Sequence, residues 1–263
     1  MTRFVLTILL LINISSCKDL FQYSPNEVRL EEEEKNLNQK NIERLQAVPA
    51  QEQVKFVVIG DSQRFYDDLD DFVTNINLQT GISFVLLNGD ISDFGLNKEF
   101  KWINRILKKL TAPYFAVIGN HDMLANGRLI YHQMFGAENF SFTYGGFKFI
   151  GLNTNSQETG YDGSIPDLPW LQQELLGNYK QAFVFSHVPP FSGQFDQRKI
   201  KDYSTLLQKN KVGMSIHGHQ HDYSYSFPYA DGVPYLVVGS MNKRSYAIVS
   251  VNNESTEVEE HHF

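Results

Sequence analysis

The chain alternates continuous apolar runs with segments whose apolar residues recur at helical spacing. VKFVVI (54–59), SFVLLN (83–88) and YFAVI (114–118) read as strands, and 67–80 and 97–110 between them read as helices. In 97–110 the apolar positions Phe100, Ile103, Ile106, Leu107 and Leu110 form one stripe, as a helix lying on a sheet requires. Strands without polar alternation are buried on both faces, the situation of a parallel sheet covered by helices. The alternation then changes, because FSFTY (140–144) and FKFIGLN (147–153) flank Gly145-Gly146, the pattern of an antiparallel hairpin. A helix at 168–176, a strand at 182–186, a helix at 198–209 and a strand at 212–216 follow, and strands at 223–227, 234–238 and 245–251 close the pattern. The expected fold is α/β: two facing mixed β-sheets flanked by helices over 53–252, then a C-terminal tail at 253–263.

Upstream, 18–52 carries Glu31 to Glu34 and several Asn and Gln residues among few apolar positions. It reads as a polar acidic spacer, partly helical through Ile42 and Leu45. At the start, Arg3 precedes FVLTILLLINI, a run too short for an ordinary membrane span and of the right size for the core of an export signal. It ends in Ile14-Ser15-Ser16-Cys17, which resembles the bacterial lipobox. The resemblance implies that 1–17 is a lipoprotein-type signal peptide and that Cys17 is acylated. An uncleaved anchor with an incidental cysteine is the alternative; either tethers the protein to a membrane. The expected location is the bacterial cell envelope, on the periplasmic or surface side.

Composition changes this picture little. A hydrophobic fraction of 42% over 263 residues is ordinary for a folded domain. The net charge of -7 leaves no basic field for a phosphate backbone, so no nucleic-acid partner is expected. With Cys17 the single cysteine, neither an internal disulfide nor a thiolate zinc site can form.

The chemistry lies where the apolar runs stop. VKFVVIG leads to Asp61, FVLLNG to Asp90, YFAVIG to Asn120, FVFS to His187, and GMSIHG to His219, with His221 two residues on. Ligands of open α/β sheets gather beyond the carboxyl ends of the strands, so these side chains are aimed at one rim. A single Gly-Asp or Gly-Asn pair is an ordinary turn, and a lone histidine is usually structural. Recurrence at five strand ends is what points to a metal, and carboxylate, amide and imidazole donors together suit Mn, Fe or Zn. The glycine- and polar-rich loops after 153 and after 189 begin near the same rim and are candidate substrate walls.

Gly60-Asp61-Ser62-Gln63, Gly89-Asp90-Ile91-Ser92-Asp93, Gly119-Asn120-His121-Asp122, Ser186-His187 and Gly218-His219-Gln220-His221 together resemble the ordered motifs of the calcineurin-like metallophosphoesterases. That resemblance implies two divalent ions, with manganese favoured and iron or zinc as alternatives. Asp61, Gln63, Asp90 and His221 would hold one, and Asp90, Asn120, His187 and His219 the other. It implies a small phosphorylated substrate, a phosphomonoester or phosphodiester, hydrolysed by a hydroxide held at the binuclear centre. His121 would protonate the leaving oxygen, and Asp122 either orients its ring or caps the loop. Gln63 departs from the family's usual histidine, and is either a weaker ligand or a hydrogen bond behind the ligands. Arg64 either reaches a phosphate or lies at the surface. Asp93 stands where purple acid phosphatases place an iron-binding tyrosine, so no tyrosinate ligand is expected and Asp93 braces the loop. His217 points away from the rim. The rival reading, motivated by Gln63, is a binding or scaffold protein that keeps the fold without turnover.

Overall fold

A computed structural model of the protein describes residues 24 and 27–263, apart from 211 and 231. Cys17 and the rest of the expected signal peptide lie outside the described residues. In chain order the elements begin α1 (Leu37–Gln46), β1 (Val54–Ile59), α2 (Tyr66–Ile76), β2 (Ile82–Asn88), α3 (Asn97–Leu107), β3 (Tyr114–Val117) and α4 (Gly127–Met134). They continue with β4 (Phe140–Tyr144), β5 (Phe147–Gly151), α5 (Leu168–Glu174), β6 (Ala182–Phe185), α6 (Ile200–Lys209) and β7 (Val212–His217). The last four are β8 (Ser224–Ser226), β9 (Tyr235–Val237), β10 (Ser245–Val251) and β11 (Thr256–His262).

Two mixed sheets face each other, in the orders β11-β10-β1-β2-β3 and β4-β5-β6-β7-β9-β8. β1, β2 and β3 run parallel, as do β5, β6, β7 and β9, while β10, β11, β4 and β8 pair antiparallel at the margins. The uninterrupted apolar strands follow from this layering. Along β1 and β2, Phe56, Val58, Phe84 and Leu86 turn inward to meet Phe142, Phe149, Phe183 and Ile216 of the other sheet. The alternate residues Val57, Ile59, Val85 and Leu87 turn outward onto Leu69, Phe72, Phe100 and Ile103 of α2 and α3. α5 and α6 cover the outer face of the second sheet through Leu171, Tyr203 and Leu207. In the inter-sheet layer Phe56 stacks on Phe84 at 5.2 Å and Phe149 meets Phe84 edge-on at 4.9 Å. Each such buried ring stabilises the fold by roughly 1.5–3 kcal/mol, which keeps the strand ends of both sheets in fixed relation.

Two segments depart from the sequence expectation, and a third, helical as expected, also packs on the core. The spacer 18–52 contains α1, whose Leu37, Ile42 and Leu45 are buried on the core and whose Asn38 side chain pairs with both N and O of Ala116 on edge strand β3. An amide side chain can mimic a neighbouring strand, so a polar residue there serves packing. The tail 253–263 supplies β11, a charged edge strand along β10 in which alternation at Val258 reaches the inter-sheet core. α4, unrecognised in the sequence, buries Ile130, Tyr131 and Met134, and its Tyr131 hydroxyl donates to the Ala116 carbonyl at 2.7 Å.

Candidate metal centre

All seven expected ligands meet at one end of the two sheets. Asp61 and Gln63 follow β1, Asp90 follows β2, Asn120 follows β3, His187 follows β6, and His219 and His221 follow β7. Their contacts run as a chain: Gln63 Nε2 donates to Asp90 Oδ2 at 2.8 Å, and Asp90 Oδ1 lies 3.3 Å from His187 Nε2. Asn120 Oδ1 lies 2.9 Å from His187 Nε2 and 3.1 Å from His219 Nδ1. Asp61 closes the set, with Oδ2 accepting from the His219 backbone at 3.0 Å and Oδ1 3.2 Å from His221 Nε2. Donor atoms of Asp61, Asp90 and His187, all buried, lie within 4.8 Å of one another.

The backbone bends to achieve this. Asp61, Gln63, Asp90, His219 and His221 have φ of 49°, 26°, 52°, 73° and 62°. Left-handed backbone costs a side-chain-bearing residue roughly 1–2 kcal/mol, and it concentrates at sites where function requires it. These turns swing the side chain back over the strand end. Gly89 permits one of them, since a Cβ there would stand 2.6 Å from His187 Nδ1.

The donor set fits a cation. His187 Nδ1 faces the Asn88 carbonyl at 2.7 Å and must donate to it, so Nε2 carries the lone pair. That lone pair faces the oxygens of Asn120 and Asp90, and only a proton or a metal ion can hold three such acceptors together. Where a proton holds them, the ring is charged. Burial opposes it, yet Asp90 and Asp61 raise His187 to about 10, and His187 with His121 brings Asp90 down to about 2 against its own burial. Burial raises Asp61, with His221 acting against it, and the hydrogen bond to Asp61 raises His221. Burial and then the His187 charge lower His219 to about 4, leaving a neutral imidazole.

The remaining expected residues take distinct places. His121 lies at the centre, its backbone N donating to Asp90 Oδ1 at 3.0 Å and its ring Nδ1 to the Asp93 carbonyl at 2.8 Å. Asp122 does not touch that ring. Its carboxylate is buried and accepts from the Ile91, Ser92 and Gly119 backbones and the Ser92 hydroxyl, which makes it the cap of two loops. Burial and the Asp90 charge push it up to about 7 while those donors oppose the rise. Arg64 is exposed and pairs with Asp93 at 3.1 Å, so Asp93 braces both Arg64 and His121. His217 is held between the Ser186 and Ser215 hydroxyls at 3.0 and 2.8 Å. Sequence reasoning missed the Asn88 and Asp93 carbonyls, for which backbone leaves no composition signal.

Fold and centre together match one family. The chain belongs to the calcineurin-like phosphoesterase family, whose model matches residues 54–223. It is 31% identical over 121 residues to a probable glycerophosphodiester phosphodiesterase of Arcobacter nitrofigilis, covering 43% of this chain and 44% of that protein. It is 30% identical over 164 residues to a probable cyclic nucleotide phosphodiesterase of Coxiella burnetii, covering 58% of this chain and 66% of that protein. The chain thus spans between 44% and 66% of the length of these curated relatives. Among solved structures, a purple acid phosphatase from yellow lupin seeds shares the fold with a TM-score of 0.65 at 15% identity, over 82% of this chain and 52% of that one.

Proposed function

We propose that this protein is a membrane-anchored phosphodiesterase that hydrolyses a small phosphorylated substrate at a two-metal centre. The observation that carries the reading is the meeting of His187 Nε2, Asp90 Oδ1 and Asn120 Oδ1, acceptors that need a cation between them. Asp61, Gln63, Asp90 and His221 would hold one ion, and Asp90, Asn120, His187 and His219 the other. With Gln63 Nε2 engaged on Asp90, its Oε1 is the atom left to face an ion, and the first set then offers mostly oxygen donors, which favours manganese. When bound, such ions supply activated water near neutral pH and positive charge against the phosphoryl oxygens.

The chain's own residues do the rest. Because His121 Nδ1–H is committed to the Asp93 carbonyl, Nε2 is the nitrogen that passes a proton to the leaving oxygen. The Asp93 carboxylate lies 3.7 Å from the same Nδ1. Arg64, held on Asp93, places positive charge at the rim where an anionic substrate arrives. Diesters are preferred to monoesters in this reading because both relatives described above are named as phosphodiesterases. The lipobox-like segment ending at Cys17 supports anchoring in the bacterial envelope.

The test is hydrolysis of bis(p-nitrophenyl) phosphate by the manganese-loaded protein. Asp90→Asn and His187→Ala are expected to lower kcat by roughly a thousandfold or more, the scale of losing a charged group that acts on the transition state, with the far-UV circular dichroism unchanged. Wild-type turnover in both variants would overturn the reading, and absence of turnover in the metal-loaded wild type would leave the scaffold alternative.

A further inference from the structure

The chain joins the described fold at α3. Arg29 N donates to Asn97 Oδ1 at 3.3 Å, and Asn97 Nδ2 donates to the Arg29 carbonyl at 3.1 Å, a two-way pairing at the first residue of the helix. Val28 and Leu30 on either side pack against the same core as Phe100 and Ile103. Arg29 lies twelve residues after Cys17, and twelve residues span at most roughly 40 Å when fully extended. A lipid on Cys17 therefore keeps α3 within that reach of the bilayer.

The face that α3 turns to solvent has the chemistry of a lipid interface. Lys98, Trp102 and Arg105 recur at spacings of four and three, so they form one stripe opposite the buried Phe100, Ile103 and Leu107. Trp102 is 43% exposed and lies edge-on to Tyr66 of α2 at 5.4 Å; with Arg105 and Ile106 the two rings line an open, largely apolar hollow. Lys98 and Arg105 are exposed and make no hydrogen bond or ion pair among the described residues. Glu31 shares the adjoining groove with them, while Glu34 is engaged by Lys101 at 3.0 Å and Asp70 by Lys109 at 2.5 Å. Anionic lipid repels a chain of net charge -7 as a whole, so a basic, aromatic stripe is the side it can turn to such a surface. Tryptophan beside Lys and Arg is the combination that settles at headgroup depth.

We propose that the solvent face of α3, through Lys98, Trp102 and Arg105, docks on the surface of an anionic lipid bilayer. The proposal rests on the anchoring reading above, since the lipid at Cys17 is what brings the face to the surface. Its consequence for the metal centre follows from position. Asp93, which holds His121 and Arg64, and Phe94, 59% exposed, lie within four residues of the start of α3. Docking there sets the rim of the centre close to the headgroups.

The test uses the full acylated chain carrying Trp170→Phe, so that Trp102 is its single tryptophan. It is reconstituted on vesicles of phosphatidylcholine, alone or mixed with phosphatidylglycerol, whose acyl chains are brominated. Flotation with the vesicles reads the anchor, and bromine quenching of Trp102 fluorescence reads the face. Quenching is expected on the mixed vesicles, and weaker quenching on phosphatidylcholine alone or in about 1 M salt, where the screening length falls to about 3 Å. Each cation lost from an anionic surface weakens docking roughly fivefold, so Lys98→Glu with Arg105→Glu is expected to remove the quenching while flotation and far-UV circular dichroism match the parent chain. Equal quenching in parent and double variant, or none in a parent chain that floats, overturns the docking face. A blue shift of Trp102 without quenching assigns the face to a protein partner and overturns it too. A parent chain that fails to float overturns the anchoring reading, and the docking with it.

Discussion

Asp90 is the residue on which the centre turns. Oδ1 accepts from the His121 backbone and faces His187 Nε2, Oδ2 accepts from Gln63, and the backbone beneath is left-handed. The weak point of the set is Gln63, a neutral amide where its family usually has imidazole. Gln63→His is expected to tighten manganese binding by roughly tenfold, within the range that changes around a metal ligand produce, as measured by calorimetric titration of the metal-free protein. Affinity and stoichiometry equal to wild type would show that the position takes no part in holding metal. At this scale the ligands were legible because carboxylate and imidazole groups at strand ends have few other uses. The partner of His121 was not. Asp122 sits beside it in sequence, yet the loop path turns Asp122 onto four donors and brings the Asp93 carbonyl to the ring.

Elements hold that rim steady through polar contacts at their edges. β3, which carries Asn120, would be an open edge strand, and Asn38 of α1 and Tyr131 of α4 occupy its Ala116 groups. Glu138 then joins α4 to the wall loop: it accepts from Arg128 at 2.5 and 3.0 Å and from Asn153 at 2.8 Å, with His132 at 2.8 Å. Burial raises this carboxyl, but Arg128, Asn153 and His132 outweigh it and hold Glu138 below the usual glutamate range. A depressed folded-state value means stability that is present above the ordinary glutamate pKa and lost as pH falls through the folded one. Glu138→Gln should therefore cost roughly 1–2 kcal/mol near neutral pH and flatten the acid limb of the Tm profile below about pH 4–5. Thermal unfolding across that range checks it; parallel profiles for variant and wild type would refute it. α4 and β11 escaped the sequence reading for different reasons. One is a single short stripe after a glycine, and the other alternates charge with small apolar groups, as solvated tails also do.

At the scale of the molecule, the centre exists only because two sheets end together. One supplies Asp61, Gln63, Asp90 and Asn120, and the other His187, His219 and His221, with the phenylalanine layer between setting their separation. No helix among the described residues is long and apolar enough to cross a membrane. Anchoring through Cys17 predicts that the full chain, expressed in a bacterium, incorporates labelled palmitate and fractionates with membranes, and that Cys17→Ser does neither; equal labelling of both would refute it. The sequence by itself determined the alternation of strands and helices and the choice of ligand residues, since burial of a strand and chemistry at its end are properties of a few neighbouring residues. Only the tertiary structure decided which atoms face one another. The contact from His219 to Asp61 spans 158 residues, the one that fixes the His187 tautomer spans 99, and Asp122 caps backbone donors 30 and 31 residues before it. Local pattern cannot encode a hydrogen-bond direction between chains of backbone that touch only after the core has packed.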